Sequence, residues 1–244
     1  MPGNNNGDIV WFVGAGPGDP ELITVKGKAL LDRADVLLYA GSLVNPVLVS
    51  MSSASEKLDS WGMQLDDMVK LMADRAKQGK TVVRLHSGDP ALYGSIVEQI
   101  AELKKYGISV LIVPGVSSVF AAAAALNTEF TPRGVAETLI ITRPAGKTLE
   151  KDYIAELSQF PATMAFFLGS EHFADITAKL SCPKNTPAAV IFHASWPDQR
   201  IITGTVADIA GKAKDAGIAR SALLIVGRAV SGTGSGYQRS HLYS

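Results

Sequence analysis

Three glycines at alternate positions break an apolar run in Val10-Trp11-Phe12-Val13-Gly14-Ala15-Gly16-Pro17-Gly18-Asp19-Pro20. A strand ending in such a loop exposes main-chain N–H groups. Glycines lack the Cβ that would hold a ligand off the backbone, and ligands dock at the carboxyl ends of strands in α/β sheets. The dinucleotide fingerprint needs its third glycine at the opening of a helix, but Asp19-Pro20 stand there instead. Proline donates no N–H, and Gly18-Asp19-Pro20 reads as a turn before a helix that begins at Thr24, which disfavours a pyrophosphate cradle. The expected ligand is a nucleoside without phosphates.

Three further loops follow strand candidates directly: Ser87-Gly88-Asp89-Pro90-Ala91-Leu92-Tyr93-Gly94, Pro114-Gly115-Val116-Ser117-Ser118 and Phe166-Phe167-Leu168-Gly169. In the first, Gly88 tolerates a strained backbone and Pro90 stiffens the turn. Asp89 offers a carboxylate for ribose hydroxyls or an amine; capping the next helix is its plainer use. Such loops at several strand ends form the constellation expected around one small molecule. His86, His172, His193 and His241 lack metal-ligand spacing, so no metal site is expected.

The elements that must position these loops follow an α/β order. Strands are expected at Ile9–Val13, Val36–Tyr39, Thr81–Leu85 and Ser109–Val113, then at Leu139–Thr142, Thr163–Leu168, Ala188–Phe192, Arg200–Gly204 and Ala222–Val226. Leu65, Met68, Val69, Met72, Ala73 and Ala76 keep helical spacing up to Gly79, as do Ile96, Val97, Ile100 and Leu103 before Gly107. Further helices are expected around Lys151–Leu157, Phe173–Leu180 and Val206–Ala216. Ser117 to Leu126 is a small-residue helix, Asn127–Gly134 reads as a linker, and the Gly- and Ser-rich end from Gly232 is expected to fray.

With 244 residues, 47% of them hydrophobic, the chain suffices for one large domain or two small ones. Its 23 basic and 23 acidic residues balance, which disfavours binding to nucleic acid or a membrane surface by bulk charge. Cys182 is the only cysteine, excluding an intrachain disulfide, and the N-terminus has no basic segment leading into an apolar one, which points to the cytoplasm.

The glycine loop, Ser87-Gly88-Asp89-Pro90 with Tyr93-Gly94, Pro114-Gly115-Val116-Ser117-Ser118 and the closing Ala222-Leu223-Leu224-Ile225-Val226-Gly227 together resemble the tetrapyrrole methylases, which use S-adenosylmethionine in corrin and sirohaem synthesis. Tyr39-Ala40-Gly41-Ser42-Leu43-Val44, Asp59–Met63 and Ala194-Ser195-Trp196-Pro197-Asp198 carry the resemblance toward the corrin branch. It implies two α/β domains with a ligand cleft between them: 8–130, bearing the glycine loop and a substrate trough, and 131–244, completing the cofactor site.

Carried over residue by residue, the resemblance assigns S-adenosyl-L-methionine, and its product S-adenosyl-L-homocysteine, to Pro17, Gly88, Asp89, Leu92, Ser117, Ser118, Leu168, Ala194, Ala222 and Leu223. Leu168 stands where relatives often have methionine, and Ala194 where some have glycine. Relatives that methylate uroporphyrinogen III carry an aspartate, proposed as the base, after the tyrosine of the second strand. Ala40 stands there, so that activity is disfavoured and no base is assigned. Lys26, Arg133, Glu137 and Arg143 are candidates to meet a tetrapyrrole substrate, and Trp61 and Trp196 either flank a macrocycle or pack under a loop. The resemblance also implies a homodimer, with the small-residue helix offering an apolar face. The competing readings are a methylase of the same fold acting on another substrate, such as RNA, and a nucleotide-binding module without catalysis.

Overall fold

The computed structural model describes residues 8–41, 43–236 and 238–239; Ser42 and His241 lie outside the described residues. The chain divides into two compact units that meet between Ser118 and Val119.

In the first unit, β1 (Ile9–Gly14), β2 (Val36–Tyr39), β3 (Glu56–Asp59), β4 (Val82–His86) and β5 (Ser109–Val113) form one sheet in the order β3-β2-β4-β1-β5. Every neighbouring pair is parallel. The period of two sends alternate side chains to opposite faces. Val13, Leu37, Val83 and Leu85 pack with α1 (Val25–Arg33) and α2 (Pro46–Met51). Val10, Phe12, Val36, Leu38 and Val82 pack with α3 (Leu65–Lys77) and α4 (Ile96–Lys105). Cover on both faces is why β4 is buried at all five positions. Thr24 starts α1 as expected, its Oγ1 accepting the Gly27 N–H at 3.1 Å, and left-handed Gly79 and Gly107 follow α3 and α4.

The sequence reading omits α2 and β3. Glu56, Lys57, Leu58 and Asp59 lack an apolar alternation because β3 is an edge strand, and it is anchored by a two-pronged ion pair in which Arg75 of α3 donates to Glu56 at 2.8 and 2.9 Å.

The second unit holds α5 (Ser118–Ala125, its first residue at the division), then β6 (Leu139–Thr142), α6 (Ile154–Leu157), β7 (Thr163–Phe166), α7 (Phe173–Lys179), β8 (Pro187–Phe192), β9 (Arg200–Thr205), α8 (Ile209–Asp215) and β10 (Ala222–Val226). Its sheet runs β6-β7-β10-β8-β9, parallel at β6–β7 and antiparallel elsewhere. Residues 119–130, assigned by the sequence reading to the first domain, pack here. Val119, Ala121, Ala122 and Phe130 join Ala165, Ala189, Ile191 and Ile225 in one core, small side chains of the helix meeting small side chains of the sheet. The turn formers of Asn127–Gly134 therefore mark a bend within this unit: Thr128 donates to the Ala229 carbonyl at 2.9 Å and Thr163 to the Phe130 carbonyl at 2.7 Å. Of the segment from Gly232 that was expected to fray, residues 237 and 240–244 lie outside the described residues, and the described part is ordered by local turns and a tie to the body of the unit. Arg228–Ser235 forms 3-10 turns, and the Gln238 N–H donates to the Arg133 carbonyl at 3.0 Å.

Candidate active site

Three of the loops singled out in the sequence converge at the carboxyl ends of the adjacent strands β4, β1 and β5. The Gly16 and Gly88 main chains exchange hydrogen bonds of 3.2 and 2.8 Å, and the Ala15 N–H donates to the His86 carbonyl at 2.7 Å. The third loop is closer still. A Cβ on Gly14 would lie 2.5 Å from the Gly115 Cα, and one on Gly115 would lie 2.1 Å from the Gly88 oxygen. Only glycine permits three main chains to meet this way. The strand order makes a crevice here, because β1 leads into α1 on one face while its neighbour β4 leads into α4 on the other.

Asp89 locks the arrangement. One carboxylate oxygen accepts the Ala91 N–H at 2.8 Å and the other accepts the Gly115 N–H at 2.9 Å. It does not cap α4, whose N-cap is Ser95. Each oxygen keeps a lone pair for a ligand. Pro17, Gly88, Asp89, Leu92 and Ser117 thus lie on loops at one end of this sheet and Ser118 opens α5, Ser117 being buried and the other five partly exposed. Asp19 caps the 3-10 turn Pro20–Leu22 by accepting the Glu21 N–H at 2.9 Å, and Thr24 caps α1 by accepting the Gly27 N–H.

The loops after β2 and β3 stand at the same end of the sheet. The Asp59 carboxylate accepts the N–H groups of Gly41 and Trp61, both at 2.9 Å. A Cβ on Gly41 would strike that carboxylate at 2.0 Å, which explains the glycine. Trp61 is 78% exposed, so it flanks open space and does not pack beneath a loop.

In the second unit, Leu168 follows β7, Ala194 follows β8, and Ala222 and Leu223 open β10. Since β10 runs antiparallel to both neighbours, all four residues gather at one edge. The Ser170 hydroxyl donates to the Ala222 carbonyl at 3.0 Å, and the His193 N–H donates to the Ser221 carbonyl at 3.1 Å. Leu168, His193, Ser195 and Ser221 all have positive φ, between 48° and 71°. Such conformations cost on the order of 1–3 kcal/mol each and cluster at ligand sites. Ala194, Ala222 and Leu223 are buried, whereas Leu168 is 63% exposed. His193 is paired through Nδ1 with Asp198 at 2.9 Å and stacks on Phe192 with ring centroids 3.9 Å apart. The His193 hydrogen bond, foremost, holds the Asp198 carboxyl below the usual range.

The sequence reading passed over Arg84. It lies mid-strand in β4, opposite Phe12 and Leu38, and is 6% exposed. Burial pushes its guanidinium down to about 10, against the attraction of Asp59, so it stays charged at neutral pH. His86, two residues on, is pushed down to about 3 by burial and by Arg84, and is neutral. An arginine inside an otherwise apolar strand was the available signal. Arg133 and Arg143, by contrast, are engaged locally, Arg133 with the Arg239 carbonyl at 2.9 Å and Arg143 with Thr148 at 2.8 and 3.0 Å.

The family profile of the tetrapyrrole (corrin/porphyrin) methylases matches residues 10–210. A cobalt-precorrin-4 C(11)-methyltransferase of Methanocaldococcus jannaschii is 48% identical over 234 residues, covering 93% of this chain and 90% of the relative. The crystal structure of a cobalt precorrin-4 methyltransferase superposes with a TM-score of 0.89 at 42% identity, covering 94% of this chain and 98% of that one. The uroporphyrin-III C-methyltransferase of Thermus thermophilus, complexed with S-adenyl homocysteine, reaches 0.78 at 29% identity, covering 91% and 92%. This chain belongs to the tetrapyrrole methylase family.

Proposed function

We propose that the protein is an S-adenosylmethionine-dependent C-methyltransferase that methylates precorrin-4, or its cobalt-bearing form, at C-11 to give precorrin-5 in cobalamin biosynthesis. The observation that carries this reading is the 48% identity, along nearly the full chain, with a relative of that named activity. The uroporphyrin-III enzyme is more distant in sequence and in backbone. Ala40 also departs from the aspartate expected of uroporphyrinogen methylases. Tyr39–Val44 and Ala194–Asp198, the segments closest to the precorrin-4 branch, favour C-11 over C-17 or C-20.

The glycine-built crevice suits a donor that must lie against main chain. In the first unit, Gly88 and Asp89 take its amino-acid and ribose portions, Pro17 lines the site, Leu92 adds an apolar contact, and Ser117 and Ser118 follow the Pro-Gly turn. In the second, Leu168, Ala194, Ala222 and Leu223 offer an apolar edge to its adenine. The donor arrives activated: its sulfonium–methyl bond breaks as the bond to the ring carbon forms, and the macrocycle loses a proton. The protein's part is to hold the reacting atoms in line, worth several kcal/mol of the barrier without a covalent intermediate.

The working form is a homodimer. In the first unit, Leu111 and Ile112 on edge strand β5 are 44% and 43% exposed, the kind of apolar surface a second copy covers; in the second, Phe120 on α5 is 58% exposed. The balanced charge favours a small-molecule substrate over nucleic acid or membrane. The lone cysteine accords with a reducing compartment, and the cytoplasm is the proposed location. Among the described residues no helix is long and apolar enough to cross a membrane. Calorimetry with S-adenosylhomocysteine, NADH and ATP tests the donor assignment. Micromolar binding of the first alone is expected, and preference for either phosphate-bearing ligand would overturn it.

A further inference from the structure

β4 places Arg84 and His86 on the same side of the sheet, toward α3 and α4, where Gln99 projects from α4. Arg84 is 6%, His86 6% and Gln99 4% exposed. Nε and Nη1 of Arg84, Nε2 of His86 and Oε1 of Gln99 are fully buried and have no hydrogen-bond partner. The Gln99 amide nitrogen is engaged, donating to the Ser95 carbonyl at 3.1 Å. Phe12 packs on His86 with ring centroids 5.1 Å apart. Four unpartnered polar atoms in one layer of one unit stand out in a fold whose other buried polar side chains are largely bonded.

Arg84 is the costly member. A buried guanidinium without an anion is strongly unfavourable, and the charges around it do not neutralise it. His86 is uncharged. Asp59, the carboxylate whose field reaches Arg84, has one oxygen committed to Gly41 and Trp61 at the exposed end of β3. The cluster also adjoins the site already described. The His86 carbonyl receives the Ala15 N–H of the glycine loop, and Gly88 and Asp89 follow within three residues. Asp59 likewise gathers the loops after β2 and β3 at the carboxyl end of the sheet.

We propose that Arg84 is a buried receptor for a carboxylate of a bound reactant, with His86 and Gln99 as the polar walls of that subsite. The guanidinium takes a carboxylate in two parallel hydrogen bonds along an edge that joins Nη2 to Nε or to Nη1, and the unpartnered Nε and Nη1 are one member of each of these two edges. This rests on the proposed function, under which both reactants carry carboxylates: the amino-acid end of the donor and the acidic arms of the tetrapyrrole.

The test compares R84M and R84K with wild type in three measurements: the Kd of S-adenosylhomocysteine, KM and kcat for the tetrapyrrole, and Tm. R84M removes an unpaired buried charge at similar volume, so it is expected to melt no lower than wild type while losing at least tenfold in one binding arm. A raised KM assigns the carboxylate to the macrocycle, and a raised Kd assigns it to the donor. R84K, which keeps charge but loses the fork, falls between. Both constants within twofold of wild type in R84M would overturn the inference. Should R84M fail to fold, the Arg84 Nε–H signal of ¹⁵N-arginine-labelled wild type, assigned by its loss in R84K, decides. It must shift and gain exchange protection when a reactant is added, and an unmoved signal overturns the inference. A wild-type protein that neither binds S-adenosylhomocysteine nor transfers methyl defeats the proposed function itself, whereas an active wild type with unaffected variants defeats only the role of Arg84.

Discussion

Asp89 carries two tasks on one carboxylate. It fixes the Gly115 loop to the β4 loop and leaves lone pairs facing the proposed donor. Asp89→Ala is therefore expected to weaken S-adenosylhomocysteine binding by about 1.5–3 kcal/mol, the range for a hydrogen bond to a charged group. Calorimetry checks this, and unchanged affinity removes Asp89 from the donor site. At this scale the sequence was legible where residue type alone speaks: a Gly-Asp-Pro after a strand, or alternating glycines. It was silent where a role depends on a partner distant in the chain. The separation of 26 positions between Asp89 and Gly115 hides their bond. Arg84 reads as an ordinary charged residue until β4 is seen to be covered on both faces.

Among the elements, strands with a continuous apolar run were placed to within two residues. β2 and β10, which are largely or wholly buried, match the expected bounds, and so do the edge strands β5 and β6, whose runs are apolar although only partly covered. Elements whose stability comes from elsewhere escaped. β3 depends on an ion pair and its neighbour β2, and α2 is a short helix capped by Asn45, whose side chain accepts the Val47 N–H. A similar dependence on polar ties joins the β6 end to α6 and α7. Burial of Asp152 would raise its carboxyl, but hydrogen bonds from Lys179 and from the Ala145 and Ile154 N–H groups outweigh burial and hold it below its ordinary value. A depressed folded pKa stabilises fully above the unfolded value, near ~3.9, and that contribution is lost as pH falls through the folded value. Asp152→Asn is accordingly expected to lower Tm at pH 7 and to narrow the gap from wild type on acidification below pH 4. A constant gap across that range would show that the carboxylate contributes no charge-dependent stability.

For the molecule as a whole, composition indicated a folded protein, the alternation of strand and helix patterns indicated an α/β fold, and the family resemblance supplied the chemistry. The division at Ser118–Val119 was not legible, since an alanine-rich helix offers apolar side chains all round and its sequence does not say which sheet it joins. The family match spans this division, so the activity belongs to the whole chain and not to either unit. The central claim is a methyl transfer to one ring carbon, and incubation with S-adenosylmethionine labelled with ¹³C at the methyl group and enzymatically prepared precorrin-4 tests it directly. NMR of the product is predicted to show the label on C-11; label on any other carbon, or no transfer from a protein that binds the donor, would contradict it.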